Sequence, residues 1–193
     1  AIALELGKQG AQVAGTATSA AGAAAISEYL AAAGVKGAGF AMNVNDILTR
    51  GAKPRFFLDY IAPGKVRKRV VERLLRGIKR GCREAGCRLI SGETAEMPGF
   101  YVDVEYDLAG FAGGVVEKKD MIDGKKIAKG DVILGLASNG LHSNGFSLVR
   151  KYFPPNRTSA KTLKRLLRPT RIYVKPILAL KNRFALKAVT HIT

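Results

Sequence analysis

The 193-residue chain is long enough for one medium or two small domains, nearly half of it is apolar, and its two cysteines exclude a disulfide framework or a four-cysteine metal site. No stretch is long and apolar enough to span a bilayer. The Ala-rich start is broken by Glu5, Lys8 and Gln9 and lacks the charged opening of a signal peptide, so a cytoplasmic setting is expected. The net charge of +17 is uneven: residues 1–46 sum to −1 and the rest to +18, which points to two segments of different origin and to a field that attracts nucleotides, RNA or anionic lipid.

In chain order, residues 1–10 read as the end of a helix closed by Gly10, and residues 11–16 as a short buried strand. Ser19 is placed to cap a helix over 20–33, stopped by Gly34, and 39–44 reads as another strand. Helix–strand–helix–strand is the order of a doubly wound parallel sheet. Asp46 stands near the start of a helix over 46–50, and Phe56, Phe57, Leu58 and Ile61 mark a strand ending near Pro63-Gly64.

Residues 66–85 are an amphipathic helix. Val66, Val70, Leu74, Ile78, Cys82 and Ala85 share one face, arginines and lysines fill the other positions, and Gly86 ends it. Residues 88–90 begin a strand. Val102, Val104, Tyr106 and Leu108 alternate with Asp103, Glu105 and Asp107, which predicts a half-buried strand continuing to Val116. Residues 118–130 read as a basic linker, 131–137 as an apolar strand, and 138–145 as a loop opening a helix over 146–152. Pro154-Pro155-Asn156 breaks the chain, Thr170 is expected to cap a last helix that includes Pro176, and 191–193 read as a strand.

Three clusters could carry chemistry. Asn45-Asp46 stands at a strand-to-helix turn, where a carboxylate can hold Mg²⁺ beside nucleotide phosphates or simply cap the helix. Ser91-Gly92-Glu93-Thr94-Ala95-Glu96-Met97-Pro98-Gly99 puts two acids just after a strand, where open α/β sheets bind ligands, and a capping box explains the same pattern. The third is the 138–145 loop, whose hydroxyls, amides, His142 and glycines precede a helix N-terminus that favours anions. A plain turn is the first explanation until the other clusters are added, and the lysine of a phosphate-binding Walker loop is absent.

Together with Phe56-Phe57-Leu58-Asp59-Tyr60, Asp107-Leu108-Ala109-Gly110-Phe111, Gly114-Val115-Val116-Glu117-Lys118 and Pro169-Thr170-Arg171-Ile172-Tyr173-Val174-Lys175, these clusters resemble the central blocks of the aminoimidazole ribonucleotide (AIR) synthetase family, the phosphoribosylformylglycinamidine cyclo-ligases of purine synthesis. The resemblance runs from about Asn43 to Thr193 and implies an α/β (α+β) fold: a family-like N-terminal domain over 47–125 without its first strands, and a truncated C-terminal α/β domain over 126–193. It implies ATP and Mg²⁺ as cofactors and formylglycinamidine ribonucleotide as substrate. ATP would phosphorylate the formyl oxygen, and a neighbouring nitrogen would then displace phosphate to close the ring. By match, Asp46 and Glu93 would hold Mg²⁺ and ATP, with Asp59 and Thr94 as second choices. His142, Ser143, Asn144 and Gly145 would form a substrate or phosphate loop. A homodimer would pair first-domain sheets.

The family's lysine-bearing segment and its Asp-Gly-Val-Gly-Thr-Lys block have no counterpart in residues 1–42, so weak or absent cyclisation is expected. Pro63 stands where the family usually has Thr. Gly15-Thr16-Ala17-Thr18-Ser19, Ala24-Ala25-Ile26-Ser27-Glu28-Tyr29-Leu30 and Asn43-Val44-Asn45-Asp46 instead resemble a 3-oxoacyl-carrier-protein reductase, a short-chain dehydrogenase, so residues 1–46 are expected to be a Rossmann-like fragment. Both resemblances fit Val44-Asn45-Asp46, which predicts a chimera joined there. The alternative function is an inactive chain keeping only nucleotide or polyanion binding, with nucleic acid bound non-specifically through charge.

Overall fold

The computed structural model of the protein describes residues 13–17, 37–41 and 44–192, with 13–17 and 37–41 described as backbone only. The expected helices over 1–10 and 20–33 lie outside the described residues. Strands β1 (Val13–Ala17) and β2 (Gly37–Ala41) pair in parallel, as expected of a doubly wound segment. β2 ends earlier than the expected strand, because Val44 already opens helix α1 (Val44–Thr49).

The larger sheet is built on β3 (Lys53–Pro63), with β4 (Arg88–Thr94) parallel on one side and β5 (Tyr106–Val115) antiparallel on the other. Helix α2 (Lys68–Ala85) makes the crossover between β3 and β4. Its end is a Schellman closure. Gly86 takes the left-handed conformation at φ 71°, its N–H donates to Arg83 O, and the Cys87 N–H donates to Cys82 O at 3.0 Å. Sequence periodicity located this helix because its apolar stripe meets the sheet.

Helices α3 (Phe146–Tyr152), α4 (Ala160–Leu166) and α5 (Val174–Arg183) follow. α4 is not foreseen from periodicity, being only seven residues long. Its start is nonetheless marked: the Ser159 hydroxyl accepts from the Thr162 N–H at 3.2 Å, an ordinary N-cap.

The main core lies where α1, α2 and α5 cover one face of the sheet, with Leu48, Cys82, Ala85, Cys87, Val174 and Ile177 buried together. Phe57 and Leu89 reach it from the strands. Gly51 closes α1 at φ +72°, and Lys181 of α5 reaches over to donate to its carbonyl at 2.7 Å. The basic stretch expected as a linker is pinned here too: Ile122 is buried and its N–H donates to Arg50 O.

Four sequence expectations fail. Residues 102–105 form a turn closed by Glu105 N–H on Val102 O, so the strand begins only at Tyr106. Their alternating pattern is that of a strand, but Val102 and Val104 stand exposed. Residues 131–137 pair with no strand among the described residues, and Ile133 is 94% exposed. The Ala137 carbonyl is instead occupied by side chains, Tyr173 Oη at 2.8 Å and Arg171 Nη1 at 3.2 Å. Thr170 does not cap α5, which begins after Tyr173; its hydroxyl lies 3.3 Å from that of Ser143. Residues 191–192 form no strand, and the His191 ring turns into a polar cluster.

Candidate functional site

Three chain segments far apart in sequence meet around α1. Asn45 is buried within the first turn, and its amide clamps the backbone ahead of α5: Nδ2 donates to Arg171 O at 2.8 Å and Oδ1 accepts from the Tyr173 N–H at 2.9 Å. Both partners are backbone groups that no ladder or helix bond would otherwise satisfy, so the amide substitutes for secondary structure. The next residue, Asp46, presents Oδ1 to His191 Nδ1 at 2.9 Å.

His191 is almost wholly inside, its side chain 8% exposed, and its Nε2 is buried without a hydrogen-bond partner. A buried polar atom left so costs free energy unless a ligand or water meets it. The rings of His142, Tyr173 and His191 form a triangle with centroids 5.9 to 6.4 Å apart.

The 138–145 loop enters this cluster through His142, which is buried; its Nε2 lies 2.9 Å from Asn139 Oδ1. His142 and Ser143 both adopt left-handed backbone, φ 51° and 61°, which costs of order 1 kcal/mol or more for residues with a Cβ. The surroundings impose it. Asn139 Nδ2 donates to Pro169 O, Ser143 pairs with Thr170, and Asn144 N–H closes the turn on Leu141 O. Gly145, at φ 70°, then delivers the chain into α3. Strain held by several independent bonds is the pattern of a pre-organised binding loop.

The second acidic cluster is positioned by the sheet. In the parallel pairing, Asp59 faces Gly92, Tyr60 faces Glu93 and Ile61 faces Thr94. Strand alternation puts Asp59 and Thr94 toward one face and Glu93 toward the other. Asp59 is 6% exposed, and burial pushes its carboxyl above the usual carboxylate range. Gly92 is required beside it, since a Cβ there would lie 2.3 Å from Asp59 Oδ1. Glu93 and Thr94 are exposed. Glu96 is engaged elsewhere: its Oε2 accepts from the Val66 N–H at 2.5 Å, just ahead of α2.

The structure therefore brings Asp46, through His191, beside His142 of the loop; in a separate cluster it sets Asp59 on the same sheet face as Thr94 and Glu93 on the other face. Among the described residues no three His, Cys, Asp or Glu side chains form a metal cluster. Oxygen donors at Asp46 and Glu93 nonetheless suit Mg²⁺, which is held by one or two carboxylates together with phosphate and water. Asn45, Tyr173 and His191 escaped the sequence reading. Asn45 and Tyr173 lie in family-like blocks where no spacing signals their contact, and His191 lies 145 residues beyond Asp46.

A mixed parallel and antiparallel sheet covered on one face by helices defines a mixed α/β protein. The solved thiamine-monophosphate kinase from Stenotrophomonas maltophilia K279a shares this fold with a TM-score of 0.52 and 20% identity, over 72% of this chain and 44% of that one. The family described as AIR synthase related protein matches with its N-terminal domain over residues 3–116 and its C-terminal domain over 128–193. The chain belongs to this AIR synthase family.

The phosphoribosylformylglycinamidine cyclo-ligase of Acetivibrio thermocellus is 57% identical over 162 residues, covering 79% of this chain and 48% of that protein. That of Burkholderia mallei strain ATCC 23344 is 57% identical over 160 residues, covering 79% and 46%. The chain thus spans about half the length of the curated relatives it matches. The N-terminal family match also runs through residues 3–46, the segment expected above to be a Rossmann-like fragment.

Proposed function

We propose that the chain carries the ATP and substrate site of a phosphoribosylformylglycinamidine cyclo-ligase. The supporting observation is the convergence of Asp46, His191 and the strained His142–Gly145 loop. In the reaction, the formyl oxygen attacks the γ-phosphorus of ATP and ADP leaves. The neighbouring nitrogen then attacks the activated carbon, phosphate departs with that oxygen, and the nitrogen's proton passes to solvent.

Asp46, and Glu93 from its separate cluster, are the carboxylates that would hold Mg²⁺, which would supply charge neutralisation at the phosphates. Asp59 suits this role less, because a desolvated carboxyl resists ionisation; Thr94 is an exposed second contact. His191 fixes the Asp46 carboxylate, as outer partners of metal ligands do. The backbone of His142, Ser143, Asn144 and Gly145 would receive the substrate phosphate at the start of α3, where the loop is already held in shape at no cost on binding.

The same reading takes 47–125 and 126–193 as the two domains, with 1–46 a reductase-like segment joined as a chimera, in a cytoplasmic homodimer. Phosphate release dependent on formylglycinamidine ribonucleotide tests the proposal. The release is expected to be lost in Asp46→Asn. Equal release by the wild type and Asp46→Asn would refute the assignment of the site.

A further inference from the structure

Helix α2 has two faces of opposite chemistry. Val70, Leu74, Ile78, Cys82 and Ala85 turn inward and are buried or half-buried. The opposite face is exposed and carries Arg69, Arg73, Arg76, Arg80 and Arg83. Their spacings of four, three, four and three residues keep all five within about a quarter of the helix circumference, at 3.6 residues per turn. They form one ridge about 21 Å long, at 1.5 Å per residue.

Like charges three and four residues apart repel each other. Among the described residues no ion pair relieves that repulsion. Among the described residues the ion pairs are Lys125–Asp123, Lys187–Asp131 and His191–Asp46, and none involves the ridge. Glu72 and Glu84 lie on its flanks, neither within ion-pair distance of an arginine. The five guanidiniums are presented to solvent on an 18-residue helix that the core holds rigid along its inner side.

We propose that this ridge is a sequence-independent docking surface for the phosphate backbone of double-stranded RNA. Guanidinium is the cation that binds phosphate with two parallel hydrogen bonds. The outer face of α2 holds no aromatic ring to stack an unpaired base, which disfavours single strands. It holds no Asn, Gln, Ser or Thr to read a base edge, which leaves the backbone as the ligand. The apolar face is turned onto the sheet, so it is not available to sink into a bilayer as an interfacial helix requires. Neighbouring arginines stand about 5–6 Å apart along the ridge. Double-stranded RNA is recognised mostly by its shape and by phosphate and 2′-hydroxyl contacts rather than by sequence, which is the recognition open to a guanidinium ridge without base-reading side chains.

The test is fluorescence anisotropy of a labelled, mixed-sequence 20-base-pair RNA duplex titrated with the whole chain at several salt concentrations. Each arginine on a phosphate releases a counterion, so the slope of log K against log salt is expected near −3 to −5, at about −0.9 per contact. Arg73→Glu/Arg76→Glu/Arg80→Glu is expected to weaken binding at least 30-fold with an unchanged circular-dichroism spectrum. Lys161→Glu/Lys164→Glu/Arg165→Glu on α4 makes the same charge change and is expected to cost less than threefold. Arg73→Lys/Arg76→Lys/Arg80→Lys keeps the charge, is gentler on folding, and is expected to lose three- to tenfold. Equal losses from the α2 and α4 charge reversals would overturn the proposal. So would binding of a single strand or a DNA duplex as tight as the RNA duplex, or binding to phosphatidylserine vesicles without binding to RNA.

Discussion

Replacing Asn45 by alanine removes the clamp between α1 and the segment entering α5. Two backbone groups lose their partners, the Arg171 carbonyl at 2.8 Å and the Tyr173 N–H at 2.9 Å. An unsatisfied buried polar group costs about 1–3 kcal/mol. Tyr173 is only half-buried, so water can reach part of this region and the lower half of the range applies. The expected loss is therefore about 2–4 kcal/mol, a large part of the 5–15 kcal/mol that holds an ordinary domain together. Urea unfolding followed by circular dichroism measures it as a lower midpoint at constant slope. Asn45→Asp keeps the acceptor for Tyr173 N–H and loses the donor to Arg171 O, so it is expected to fall between wild type and Asn45→Ala at low salt. A loss under about 0.5 kcal/mol in Asn45→Ala would refute the clamp, because that is the scale of an ordinary surface change.

His191→Ala leaves Asp46 without its Nδ1 partner, and a 10- to 100-fold weaker affinity for Mg-ATP is expected, read by calorimetry, as for other outer partners of metal ligands. Gly92→Ala drives a Cβ to 2.3 Å from Asp59 Oδ1, so the carboxyl must move and stability should drop by about 1–3 kcal/mol in urea unfolding. Burial, with the Cys87 thiol beside it, pushes the Cys82 thiol up to about 12. The unfolded chain then ionises first as pH rises above 9, so stability should fall between pH 9 and 12 by at most about 1.4 kcal/mol per unit, and Cys82→Ala should flatten that fall. Stability measured at pH 8.5 and 10.5 in both proteins checks the sign.

How much could be read in advance depended on how local each signal was. The apolar stripe of α2 and the Gly86 closure are contained within twenty residues, and both were legible. The run around Phe57 and Asp59 was legible for the same reason, since β3 is buried between two partners. Residues 131–137 misled because an apolar run shows that a strand could form, but not whether a partner strand lies beside it. Val102 and Val104 misled in the same way, their alternation overruled by a turn.

In the site, Asp46 and His142 were legible as residue types in suitable loops, and their convergence was not. It is made by Asn45 reaching 128 residues along the chain to Tyr173 and by His191 arriving from the far end. No period or spacing records contacts of that range. Asp59 shows the converse: its type and its block suited a metal ligand, while its burial beneath Gly92 favours a role in packing.

The central claim is that Asp46, steadied by His191, marks a Mg-ATP site. Isothermal titration of the whole chain with ATP in the presence of Mg²⁺, repeated with Asp46→Asn, tests it most directly. The account predicts saturable binding by the wild type that weakens at least tenfold in the variant and on removal of Mg²⁺ with a chelator. No binding by the folded wild type, or equal binding by both proteins, would contradict it.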